Sequence, residues 1–115
     1  MDNDRKIKLS LSRDETININ QFFPLWIMVV DSRMNLQYQT EEYYLSGKIL
    51  KCIIYQIIEK FEKRLNAFSI HHRFSFTPAE AAVFLEFMLK HPIASDQFWL
   101  FKLRQEIVNK IHKQI

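Results

Sequence analysis

A single glycine in 115 residues leaves no room for a glycine-rich phosphate cradle. It also offers little to tight hairpins, whose turns favour positive φ. The one cysteine, Cys52, excludes an internal disulfide and a thiolate metal cluster. Proline occurs only three times, so long helices are the natural building blocks. Long apolar runs are also missing. A stretch such as "PLWIMVV" falls far short of the about 20 residues that a membrane-spanning helix needs. The start does not read as a signal peptide, because Asp2 and Asp4 precede Arg5 and the next apolar residues alternate. These absences lead to the expectation of a cytoplasmic protein with no membrane association.

What is present reads as one globular domain spanning residues 1–115. Hydrophobic residues make up 48% and charged residues 25% of the chain, enough for a core and too balanced for disorder. Sixteen basic residues, against 13 acidic ones, give a formal charge of +3. They are spread along the chain, so charge alone points only weakly to nucleic acid.

The most informative pattern is a repetition. "KLSLSRDE" (8–15) and "RFSFTPAE" (73–80) share one plan: a basic residue, alternating apolar residues and serine, then Ser or Thr three residues before Glu. Alternation with period two predicts a half-buried strand. The Ser12/Glu15 and Thr77/Glu80 spacings predict capping boxes, in which hydroxyl and carboxylate each satisfy a backbone N–H. Pro78 falls at the first helical position, where its missing N–H costs nothing. Each copy therefore predicts a strand running straight into a capped helix.

The first helix is expected to run through Asn18 to about Met34, on a stripe of Ile19, Phe22, Phe23, Trp26, Ile27, Val30 and Met34. Pro24 predicts a kink or a late start near Asn20. A weaker alternative makes "TININ" a second strand. Thr40 is a candidate cap for a second helix ending near Leu65, with Leu50, Ile53, Ile54, Ile57, Ile58, Phe61 and Leu65 on one face. Gly47 falls on that apolar side. Glu59 and Lys63 are spaced for an i,i+4 pair on the opposite one. A third helix, Pro78 to about Lys90, is apolar nearly all round and predicts a central position. Ser95 and Asp96 are candidate caps for the last. The expected fold is mainly α, about four helices in a strand–helix–helix order used twice, with a minor two-stranded β ribbon. Such a ribbon is marginal alone, so it must pack on helices or pair across a dimer.

No metal-ligand spacing or nucleophile elbow occurs, and the expectation is a non-enzymatic protein without cofactors. His71 and His72 would point to opposite faces of a strand, which suits a shared metal poorly, and exposed or helix-terminal roles are expected for the histidines. Cys52 reads as a small buried hydrophobe. Arg104 lands inside the apolar arc formed by Leu100, Phe101, Ile107, Val108 and Ile111. It either snorkels or pairs with a carboxylate such as Glu86 or Glu80. Phe98 and Trp99 in "FWLF", with Tyr43 and Tyr44, are surplus aromatics, either packed or forming a docking surface.

The leading expectation is an interaction or assembly protein with a protein partner or itself, most simply as a homodimer, using Phe98, Trp99, Arg104, Tyr43 and Tyr44. The alternative is a small nucleic-acid-binding regulator using Lys60, Lys63, Arg64, Lys102, Lys110 and Lys113. Against it, Glu62 and Glu106 interrupt both basic groups.

Overall fold

The computed structural model describes residues 6–34, 41–67, 69–90 and 98–114, with side chains from 33–45 and 91–100 outside the description. The element order is β1 (Ile7–Ser12), α1 (Arg13–Asn20), α2 (Phe23–Met34), α3 (Glu41–Leu65), β2 (His71–Phe76), α4 (Pro78–Lys90) and α5 (Phe98–Gln114). This is the predicted mainly helical fold with a two-stranded antiparallel ribbon. The first predicted helix is broken into α1 and α2. The break has a local cause, since Pro24 has no N–H to give the carbonyl of Asn20 and its ring would clash there. Gln21 and Phe22 instead close α1 by bonding Ile17 and Ile19, and Pro24 falls in the first turn of α2, where no donor is needed. "TININ" is helical, inside α1.

Both predicted strand-to-helix junctions form. Ser12 Oγ accepts from the Glu15 N–H at 3.2 Å, and the Ser12 N–H donates to Glu15 Oε1 at 2.8 Å. Thr77 and Glu80 repeat the exchange at 3.2 and 2.8 Å. The candidate caps Thr40, Ser95 and Asp96 lie outside the described residues.

The strands pair within the chain, in the register Ile7↔Phe76, Leu9↔Phe74, Leu11↔His72 and Ser12↔His71. This register gives the repetition its geometry. Leu9 and Phe74 hold the same place in the two copied segments, and they face one another. An approximate two-fold axis therefore passes between them, exchanging Lys8 with Arg73, Ser10 with Ser75 and Leu11 with Phe76. The correspondence continues into the helices: Ile19 answers to Phe84 and Thr16 to Ala81, and all four are buried. The helices follow it in part, since α5 packs on β1 and α3 packs on β2. Each half closes over the other half's strand.

The inward ribbon face (Ile7, Leu9, Leu11, His72, Phe74, Phe76) joins Ile57, Phe61, Phe84, Ile107 and Ile111 in the main core. Phe61 is its hub, stacked on Phe74 at 4.5 Å and edge-on to Phe23 at 4.9 Å between ring centroids. Trp26 stacks on Phe87 at 4.3 Å. The predicted stripe of α3 is seen in buried Ile54, Ile57 and Phe61. Cys52 is exposed rather than buried, because two residues before Ile54 is about 200° around the helix. α4 buries one face only, leaving Ala82 and Leu89 exposed.

Three polar side chains enter this core. Glu80 is 3% exposed, and its Oε1 accepts from Lys60 Nζ at 2.6 Å. His72 is 1% exposed, and Thr16 is fully buried beside it. The Thr16 hydroxyl donates to the Ser12 carbonyl at 2.9 Å, so its oxygen must accept from His72 Nδ1–H, also at 2.9 Å. His72 Nε2 has no hydrogen-bond partner among the described residues. The expectation of exposed histidines holds for His71 and His112 and fails for His72, which stands where the other half has Ile7.

Candidate nucleic-acid interface

Alternation sends every second ribbon residue outward. Lys8, Ser10 and Ser12 of β1 lie across from Ser75, Arg73 and His71 of β2. Lys8, Ser10, His71 and Arg73 are exposed, Ser12 and Ser75 half-buried. Neither strand contains a carboxylate, so the outer face is basic and hydroxyl-bearing. Lys8 Nζ donates to Ser75 Oγ at 2.8 Å, tying the two strands across this face. A shallow depression here is lined by Lys8, Ser10, Arg64, Arg73 and Ser75, together with Leu9 and Phe74. Arg64 and Arg73 take part in no ion pair among the described residues.

Both edges of the ribbon are held by the last helix of a half. At the β1 edge, Gln114 Oε1 accepts from the Lys8 N–H at 2.7 Å, and its amide donates to the Lys8 carbonyl at 2.6 Å. A side chain thus supplies the pair of bonds a neighbouring strand would make. At the β2 edge, Lys60 Nζ donates to the Ser75 carbonyl at 2.6 Å. The ammonium sits 5.5 Å from the centre of the Phe76 ring. These contacts bring the C-terminal ends of α3 and α5, each carrying basic residues in its last turn, to the flanks of the outer face.

The basic residues singled out in the sequence separate accordingly. Arg64 lines the depression, and exposed Lys110 and Lys113 stand at the end of α5 that Gln114 fixes to β1. Lys63 is exposed and pairs with Glu59 at 3.3 Å, the predicted i,i+4 contact. Lys60 is half-buried and points inward to Glu80 and Ser75. Lys102 lies 12 residues before Gln114, about 18 Å along the helix and remote from the ribbon. Lys8, Arg73, Ser10, Ser75 and His71 were not among the nucleic-acid candidates named from the sequence. The signal was there, in the polar positions of two alternating strands that share cations and lack acids.

Burial alone raises the carboxyl pKa of Glu80, but it is outweighed by the Lys60 hydrogen bond and charge and by the N–H and hydroxyl of Thr77. The net effect holds Glu80 below its ordinary value of 4.5. Glu80 is therefore a structural anion that immobilises Lys60, and through it the β2 edge. Among the described residues, no group of three or more His, Cys, Asp or Glu side chains could hold a metal ion. No described helix is long and apolar enough to cross a membrane.

Of the aromatic docking candidates, the side chains of Phe98, Trp99, Tyr43 and Tyr44 lie outside the description. Arg104 is half-buried, with its guanidinium 4.9 Å from the centre of the Phe101 ring. Its two suggested carboxylates are engaged elsewhere, Glu80 by Lys60 and Glu86 by Lys90. Other large apolar side chains are exposed: Leu25, Met28 and Val29 of α2 and Ile49 and Tyr55 of α3. Phe23, Pro24, Ile27, Tyr55 and Ile58 line a groove between the two helices, with Asn20, Glu59 and Glu62.

No protein-family model, curated protein or solved structure matches this chain.

Proposed function

We propose that this chain is a non-enzymatic binding module that takes duplex nucleic acid on the outer face of its ribbon. The observation that carries the reading is the character of that face: Lys8, Arg73 and His71 among serine hydroxyls, Arg64 at the rim and no carboxylate in either strand. A two-stranded ribbon matches the width of the B-DNA major groove. Hydroxyls, lysine and arginine are the groups that meet phosphates and base edges there. Cations at the ends of α3 and α5 would meet the backbone on either side.

Fluorescence anisotropy with a labelled mixed-sequence duplex of about 20 base pairs, titrated at several salt concentrations, tests this reading, with such a length covering the groove the ribbon would enter. Binding should weaken steeply with salt, because each neutralised phosphate releases counterions. Lys8→Glu combined with Arg73→Glu should cost at least about tenfold in affinity and flatten the salt slope by roughly one unit per lost contact. Both side chains are exposed, so the fold should survive. Unchanged binding by the double variant would sink the ribbon as the site.

The exposed apolar residues of α2 and α3 favour a second reading, that of an interaction or assembly protein with a protein partner or a second copy. Leu25, Met28 and Val29 stand together on the outer side of α2, and Tyr55 lines the groove between α2 and α3. The two readings use opposite chemistry, and salt separates them.

A further inference from the structure

We propose that one chain, acting alone, addresses both halves of an approximately palindromic duplex site, with Arg73 fixing a guanine in one half and Lys8 making a looser contact in the other. This rests on the duplex-binding reading and assigns the symmetry and base content of its target.

The argument starts from the register. The axis between Leu9 and Phe74 exchanges Lys8 with Arg73 and Ser10 with Ser75, so the outer face offers a cation and a hydroxyl in each half. Binding sites mirror the two-fold symmetry of the proteins that read them. Such symmetry ordinarily needs two identical chains; here both strands belong to one. Lys8 and Arg73 are diagonal neighbours across the ribbon, with backbone positions roughly 7–8 Å apart. That separation spans about two base-pair steps, which places the cations on opposite sides of the site's centre.

The halves are alike without being equal. Arginine presents a planar fork that matches the two acceptors of guanine, whereas lysine is a point charge. Arg73 is exposed and in no ion pair among the described residues. Lys8 is already tied to Ser75 Oγ at 2.8 Å. The side of Arg73 should therefore be the more discriminating.

The test is selection of the full chain against duplexes carrying a randomised stretch of about ten base pairs, roughly one turn of major groove. Light scattering then weighs the complex on the winning site. The expected result is one chain per duplex and a motif with approximate two-fold symmetry, containing a fixed guanine in one half. Arg73→Lys should relax the preference at that guanine by roughly tenfold, leaving affinity for unselected duplex nearly unchanged. Its thermal unfolding should match the parent protein. Duplex binding with no motif, with a motif lacking two-fold relation, or with two chains per site would overturn the inference while leaving the ribbon as the binding face. Absence of duplex binding at low salt, or binding only to single strands or to an acidic protein, would remove both.

Discussion

Glu80 and Lys60 show how a residue that reads as surface can belong to the core. Lys60 stands between Ile57 and Phe61 on α3, at the border of the buried stripe, and its ammonium turns inward to reach Glu80 and the Ser75 carbonyl. The pair leaves a pH signature. The Glu80 carboxyl is held below 4.5 in the folded protein, so the folded state binds fewer protons than the unfolded state in acid. Its contribution is complete above the ordinary value and is lost as pH falls through the folded one. Urea unfolding at neutral pH and near pH 4 should show a loss of stability in acid that Glu80→Gln reduces. At neutral pH, the same variant should be less stable by about 1–3 kcal/mol, because Lys60 loses its charged partner. An acid dependence of the same size in both proteins would mean that Glu80 is not the group responsible.

At the scale of elements, the Thr16–His72 contact joins α1 to β2 across the approximate axis. The corresponding positions in the other half hold Ala81 and Ile7, both apolar and buried. The chain therefore contains its own comparison for a double-mutant cycle. Thr16→Ala should cost about 1–2 kcal/mol by stranding the buried Nδ1–H of His72. Adding His72→Ile should recover most of that loss, giving a coupling of about 1 kcal/mol. Simple additivity in chemical denaturation would show that the contact carries no stability of its own.

Much of the element plan could be read before any coordinates. Alternation located both strands, and two hydroxyl–carboxylate spacings located the starts of α1 and α4, since these patterns depend only on neighbouring residues. Pro24 marked the break between α1 and α2 for the same reason. The ribbon of residues 6–11 and 72–76 was expected, but its register, and whether it forms within one chain or across a dimer, was not legible, because pairing between residues 65 positions apart is decided by the whole core. Nor could periodicity say which border residues turn inward. Lys60, Cys52 and His72 all depend on neighbours supplied by distant segments. The candidate interface was half visible: Arg64, Lys110 and Lys113 were picked as basic helix residues, while the ribbon they flank was treated as scaffold.

For the whole molecule, the open question of association turns on which surface remains unsatisfied. The ribbon pairs internally, and Gln114 and Lys60 hold its edges. Among the described residues, exposed Leu25, Met28 and Val29 of α2 offer an apolar surface for self-association. Size exclusion with light scattering at low and high salt gives the mass directly. A dimer held by Leu25, Met28 and Val29 should persist at high salt and dissociate in Met28→Glu, since a charge cannot be buried there without a partner. A dimer indifferent to that substitution would place the contact elsewhere, and a monomer at every concentration would leave the groove to a different protein.

The internal axis also changes what a single mutation can do. Where two copies of one gene product meet, any replacement appears on both sides at once, and the two faces of a recognition surface must vary in step. Here a single codon alters one side alone. Lys8 can diverge while Arg73 stays, and the Thr16–His72 contact exists once, without a twin. The halves are free to specialise, and the symmetry of the fold places no veto on asymmetry of its target.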